Sequence, residues 1–281
     1  MVSFVILNYK STNDTIECIN SIKKLKGEYS IIVVDNNTLT SEEIKTIKSY
    51  TSDLVLLDSN VGFARGNNAG AKYAITKYHP DFLCVINSDI VINQIDFIEQ
   101  INSLYRKYNF DILGPKILPE ASESCNPFPV YKTLEEVENK INYHKKLIKI
   151  YQSRLKRFLL RIYVARNRFK KHSQNTNGLT EQTNVGLHGC ALIFSDKYYK
   201  KYKDIFYPNT FLFHEEEFLY LRAKNDNLIT LYSPKIELIH KEGQSLNKEY
   251  KNNYQKLIFK NKEIVKSLEL LKTEMMKWNL I

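Results

Sequence analysis

Five short runs of apolar, largely β-branched residues punctuate the first 115 positions: VSFVILNY (2–9), SIIVVD (30–35), DLVLLD (53–58), FLCVIN (82–87) and FDILGP (110–115). Between them, residues 12–26, 40–51, 64–78 and 94–108 carry helical periodicity. A strand that is apolar on both faces must be covered on both. The alternation therefore predicts an α/β fold around a mainly parallel sheet flanked by helices. Such a sheet offers ligands the carboxyl ends of its strands. Asn8, Asp35, Asn60 and Asp89 fall at those ends.

The alternation breaks after residue 118. A Pro-containing loop, SCNPFPVYK, leads into a long helical pattern around 133–171, and HSQNTNGLTEQTN follows as a polar linker. Regular patterning resumes with GLHGCALIF, a helix near 196–203, a helix over HEEEFLYLRAKN, and two short strands, LITLY and KIELIH. A basic-amphipathic helical pattern closes the chain at 248–277. These shifts divide it into 1–118, an insert at 119–182, a second patterned half at 183–245 and a C-terminal helix at 246–281.

Charge follows the same division. Lys132–Lys171 holds 13 Lys/Arg against 3 Asp/Glu, which accounts for the whole net charge of +10. Cys18, Cys84, Cys125 and Cys190 show no metal-site or redox spacing and read as free thiols, which suits a reducing cytoplasm. MVSFVILNYK enters a strand pattern without the basic start and apolar block of a signal peptide. No stretch approaches the roughly 20 apolar residues of a membrane span.

Five segments carry chemistry. In VVDNN, Asp35 ends the second strand with Asn36 and Asn37 behind it. A carboxylate there can accept from a nucleobase or ribose, and Asp-Asn-Asn is equally a turn formula. In NVGFARGNNAG (60–70), Gly62 and Gly66 permit close backbone approach near a helix start, which favours phosphate, and Arg65 adds a cation with a planar donor fork. INSD (86–89) presents Asp89 after a strand, where a hard divalent cation could be held by few carboxylates and substrate phosphates. HEEEF places Glu215 and Glu216 in a first helical turn, which suits a general base and also the helix dipole. His240 ends KIELIH, a position that is structural or ligating.

In this order the segments resemble the family 2 glycosyltransferases, inverting enzymes of the GT-A fold, over about 1–115 and 183–262. The likeness is nearest to the bacterial rhamnosyl-, galactofuranosyl- and capsule-type branch. It implies a GT-A domain with a basic helical insert and a C-terminal helix. It also implies a donor set of Asn8, Asp35, Asn36, Asn60, Arg65, Asn87 and Ser88, with Asn68 and Gly70 shaping the helix that closes the site. Asp89 and His240 would hold Mn²⁺ or Mg²⁺, and His188 and Gly189 of HGC would line the acceptor pocket. Of the acid pair, Glu216 is the implied base beside Glu215. Two departures stand out: Asn87 replaces the first acid of the family's metal motif, and Glu-Glu replaces Glu-Asp or Asp-Asp. The extra methylene moves a carboxylate by roughly an ångström, enough to bear on positioning.

The resemblance implies transfer of a sugar from a UDP- or dTDP-linked donor to a saccharide acceptor, lipid-linked through polyprenyl diphosphate, in surface polysaccharide synthesis. The insert admits two readings. Ile141, Ile148, Tyr151, Leu155, Phe158 and Ile162 form an apolar stripe among lysines and arginines. That composition suits a helix on an anionic membrane surface, at about 1 kcal/mol per Lys/Arg. It suits equally a helical hairpin packed on the catalytic domain. The expected location is the inner face of the cell membrane, through 139–171 and the 248–277 pattern. No nucleic-acid module accompanies the charge. A sugar-1-phosphate nucleotidyltransferase would need a GxGTR-like loop that ILNYKSTND lacks. A catalytically degenerate scaffold that binds nucleotide or membrane is the remaining alternative.

Overall fold

Strands β1 (Val2–Asn8), β2 (Tyr29–Asp35), β3 (Asp53–Leu56) and β4 (Phe82–Asn87) pair in parallel in the order β3–β2–β1–β4. The structure, a computed structural model, describes residues 1–119, 125–153, 155, 180–241 and 253–278. Beyond β4 the sheet becomes mixed. β8 (Ala191–Ser195) runs antiparallel between β4 and β6 (Ile112–Pro119). β9 (Thr230–His240) pairs parallel with β6, and the short β5 (Ile90–Val91) and β7 (Gln182–Thr183) run antiparallel to β9.

Both faces of the sheet are covered, as the apolar runs require. On one, Phe4, Ile6 and Val33 meet Cys18, Ile19 and Ile22 of α1 (Thr12–Ile22), Ile47 of α2 (Ser41–Tyr50), and Phe97, Ile101 and Leu104 of α4 (Phe97–Tyr108). On the other, Val5, Val34 and Val85 meet Ala64, Ala71 and Ala74 of α3 (Gly62–Tyr78). Tyr198 of α6 (Asp196–Lys201) and Leu219 of α7 (Glu215–Asn225) extend that layer.

A third core joins the insert to the C-terminus. Val137 and Ile141 of α5 (Leu134–Gln152) pack with Ile264, Val265, Leu268, Leu271 and Met275 of α8 (Asn253–Lys277), and with Phe218 and Leu221 of α7. Ile148 lies against this core and the Tyr151 ring is 6.4 Å from that of Tyr254. Over the described residues the apolar stripe is thus buried between two helices distant in the chain, α5 and α8, rather than within a hairpin of the insert itself. Leu155 remains 69% exposed. Phe158 and Ile162 lie outside the described residues.

Two sequence expectations are corrected. LITLY and KIELIH form one strand, β9, because the interruption at Pro234 is absorbed by a bulge: Pro115 pairs with Ser233, and the next ladder partner of β6, Lys116, pairs with Glu237. α3 begins at Gly62 rather than Ala64. Gly62 has φ of +85°, and a Cβ there would stand 2.3 Å from the Phe211 carbonyl oxygen.

α3 approaches the strands closely enough that a Cβ on Gly70 would lie 2.5 Å from methyl carbons of both Val5 and Val34. Overpacking of that kind costs about 1–3 kcal/mol. Gly70→Ala should therefore lower the denaturant midpoint at unchanged m-value; an unchanged midpoint would mean the layer yields freely.

Candidate functional site

The candidate side chains gather where β1, β2 and β4 end. Asn8 and Asp35 are register partners, and Asn8 Nδ2 donates to Asp35 Oδ1 at 3.1 Å. Asp35 also accepts from the Thr38 N–H at 3.0 Å, the Thr38 hydroxyl at 3.0 Å and the Leu39 N–H at 3.2 Å. The turn chemistry in Asp-Asn-Asn is therefore real, and it orients the carboxylate. Asn36 clamps the glycine-rich loop: its Nδ2 donates to Gly62 O at 3.3 Å, and its Oδ1 accepts from the Val61 N–H at 2.9 Å. Asn60 Oδ1 accepts from the Gly62 N–H at 3.0 Å.

Arg65 stands exposed on the first turns of α3. Its Nε–H donates to Pro208 O at 2.8 Å, which ties α3 to the loop leading into α7. Asn68 binds the same loop, donating to Phe206 O and accepting from the Phe206 N–H, each at 2.9 Å.

From Asn8 the network continues. Ser11 Oγ donates to Asn8 Oδ1 at 3.3 Å and lies 2.8 Å from Ser88 Oγ. The backbone N–H of Asn87 donates to Cys190 O at 2.8 Å, joining β4 to the HGC turn. Asp89 Oδ1 is 3.3 Å from His240 Nε2, because β5 pairs Ile90 with His240. The His240 ring is 6.4 Å from that of His188.

Asp89 and His240 fit a divalent cation. Adjacent ligands on an octahedral ion at 2.0–2.1 Å lie about 3 Å apart, and Mg²⁺ is commonly held by one or two protein groups plus substrate phosphates. Among the described residues there is no group of three or more His, Cys, Asp or Glu side chains suited to a metal. The remaining ligands would come from phosphate and water.

The acid pair begins α7. Glu216 Oε1 accepts the Gly189 N–H at 3.0 Å, and a Cβ on Gly189 would stand 2.8 Å from that oxygen. Glycine here keeps the carboxylate against the HGC turn. Next to it, His188 Nδ1 accepts the Cys190 N–H at 3.2 Å, and the His188 N–H donates to Asn126 Oδ1 at 2.7 Å. Burial pushes the His188 pKa down, the Glu216 charge opposes this and His240 adds to it. His188 therefore stands neutral at pH 7, with Nδ1 as acceptor and the proton on Nε2.

Three side chains at this site went unremarked in the sequence: Asn126, His214 and Glu217. Asn126 bridges Pro115 O and the His188 N–H from within the Pro-containing loop. His214 and Glu217 flank the acid pair and bind each other at 3.0 Å. Only their place in HEEEF could have drawn notice.

Glu215 is buried, and its Oε1 has no hydrogen-bond partner among the described residues. Desolvation, then the neighbouring Glu216 charge, pushes its pKa up to about 8. The unfolded chain releases this proton at the ordinary carboxylate value, near 4.3. Between about pH 4.3 and pH 8 the group therefore favours the unfolded state increasingly as pH rises, and below that window it is neutral to stability. Glu215→Gln should melt above the parent by a margin that grows from pH 5 to pH 8. A margin independent of pH would mean that Glu215 ionises normally.

Comparison with known proteins agrees with this architecture. S. aureus TarS 1–349 in complex with UDP superposes with a TM-score of 0.55 at 13% identity, covering 92% of this chain and 64% of that one. The same protein in complex with UDP-GlcNAc gives 0.54 at 13% identity, covering 92% and 66%. The Haloferax volcanii "Low-salt glycan biosynthesis hexosyltransferase Agl10" is 31% identical over 130 residues, covering 46% of this chain and 40% of the relative. The chain thus spans under half the length of that curated relative. The central sheet and its helices match the GT-A-like glycosyltransferase fold. The profile described as "Glycosyl transferase family 2" matches residues 3–229, and the chain belongs to that family.

Proposed function

We propose that the chain transfers a hexosyl or deoxyhexosyl group from a UDP- or dTDP-linked donor to a saccharide acceptor, with inversion at the anomeric carbon. One observation carries the reading. The strand-end network from Asp35 through Asn8, Ser11 and Ser88 lies beside the Asp89–His240 pair, and the HGC turn, with the His188 ring 6.4 Å from that of His240 and the Gly189 N–H on Glu216, lies between that pair and the acid. The groups proposed for nucleotide, cation and base thus share one rim of the sheet.

Glu216 takes the proton from the acceptor hydroxyl. The acceptor oxygen bonds to the anomeric carbon as the bond to the diphosphate oxygen breaks from the opposite side, and the bonding pair leaves on the nucleotide. Gly189 holds Glu216 Oε1, so Oε2 is the oxygen for proton transfer. Asp89 and His240 would hold Mn²⁺ or Mg²⁺, whose charge stabilises the departing diphosphate. Arg65 adds a cation at the start of α3, where the helix terminus already favours phosphate. Asp35 and Asn8 serve the base or ribose. His188 and Gly189 line the acceptor side, where the neutral imidazole can donate from Nε2. The UDP and UDP-GlcNAc complexes of TarS and the hexosyltransferase relative support the nucleotide-sugar class.

For the acceptor, the basic insert supports a lipid-linked saccharide at an anionic membrane surface. The apolar faces of 134–152 and 253–277 are buried against each other, so membrane attraction falls to the lysines and arginines of 139–171. No helix among the described residues is long and apolar enough to cross a membrane.

Thermal shifts with UDP and dTDP, with and without Mn²⁺, test the donor side; a ligand at about 100 times its Kd adds about 2.7 kcal/mol. Stabilisation should require the metal in the parent and disappear in His240→Ala. Glu216→Gln should keep that stabilisation and lose about 10²–10⁴-fold in kcat. Full turnover in Glu216→Gln would remove the base. Nucleotide binding by a parent that never turns over would favour a scaffold.

A further inference from the structure

The turn that delivers the acid pair is strained. Phe213 and His214 both have positive φ, +73° and +69°, and neither is glycine. A left-handed conformation costs an L-residue about 1–2 kcal/mol, and consecutive instances mark a backbone held by its surroundings. His214 is the N-cap of α7 yet caps no backbone N–H with its side chain. Its Nδ1 instead faces Oε1 of Glu217 at 3.0 Å, with both side chains largely buried. Neither Glu217 Oε2 nor His214 Nε2 has a hydrogen-bond partner among the described residues.

The surroundings come from the segment entering α5 and from α8. The Tyr131 ring, just before α5, lies 5.9 Å from that of His214. Lys260 of α8 sits 5.7 Å from the Phe213 ring centre, and Ser267 of α8 donates to Leu212 O at 3.1 Å. Within α7, Phe218 stacks on Tyr207 at 4.4 Å. The strained residues are thus gripped from both sides, immediately before Glu216.

We propose that the His214–Glu217 pair is a positioning device, holding the Phe213–His214 turn in the left-handed conformation that brings Glu216 onto the Gly189 N–H. Glu217 sits three residues past the cap and engages its side chain. The pair therefore fixes the first turn of α7 from within, in place of the backbone capping that His214 does not supply. His214 and Glu217 need not touch substrate: they set where the base stands. The inference rests on Glu216 as the base, and its test separates the two.

The probe is the Gly189 amide resonance, which a carboxylate acceptor draws downfield, read alongside UDP release from a UDP-hexose with water as acceptor. His214→Gly removes the pair and tolerates the turn. Its Gly189 resonance should move upfield, as in Glu216→Ala, and kcat should fall at least tenfold, with the Kd for UDP within twofold of the parent. His214→Asn tolerates the same turn, places an amide nitrogen where Nδ1 stood, and should restore the resonance and most of kcat. Glu217→Met, which leaves no unpaired acid, should behave as His214→Gly and serves if that variant does not fold. A parental Gly189 resonance and kcat in both pair-breaking variants would overturn the positioning role. Full turnover in Glu216→Gln, with the resonance shifts as expected, would instead remove only the base assignment.

Discussion

The constraint beneath this structure is the burial of a parallel sheet on both faces. Every residue of β1 except Leu7 is buried, and the middle of β2 and β4 is equally closed. Polar groups can then enter only where strands end, because an unpaired polar group inside would cost several kcal/mol. Gly66 and Gly70 let α3 settle onto Leu7, Val5 and Val34, which closes the layer and brings the helix start to the same rim. The grouping of Asn8, Asp35, Ser88 and Asp89 is a consequence of the core before it is a feature of chemistry.

The second half of the molecule solves a different problem, that of presenting several carboxylates in one helical turn. Glu215 and Glu217 are each buried to within 4% of full closure. Burial makes Glu215 hold its proton, while Glu217 has a histidine and Glu216 a backbone N–H. Three adjacent acids thus occupy three environments, and Glu216 is the one that faces the HGC turn. Such an arrangement opposes stability locally. The core shared by α5, α7 and α8 offsets it, and the helices that look like appendages in the chain are part of the support for the acid helix.

Much of this was legible in the residues. The strand runs and the helices between them follow from period and strand ends, since each depends on neighbours along the chain, whereas the placement of Asp89 beside His240 was implied only by the likeness of the motifs to the family. Other features depend on partners far away. Asn36 and Asn68 look like loop and helix polar residues, yet each clamps a distant backbone with both ends of its amide. Pro234 looks like a strand terminator, yet a bulge carries β9 past it. The apolar stripe of α5 fitted a membrane as well as a helix, because amphipathicity names a face without naming its partner.

By itself, then, the sequence determined the alternating architecture and the polar strand ends, because periodicity and spacing encode which faces are buried and which residues close each element; the family followed from the likeness of its motifs. Tertiary structure alone decided that Tyr131 and α8 grip the turn before the acid pair, that Gly189 rather than a side chain holds Glu216, and that His214 adopts a left-handed conformation against Glu217. Those outcomes depend on which surfaces distant in the chain pack together, and no local pattern in HEEEF or HGC specifies them.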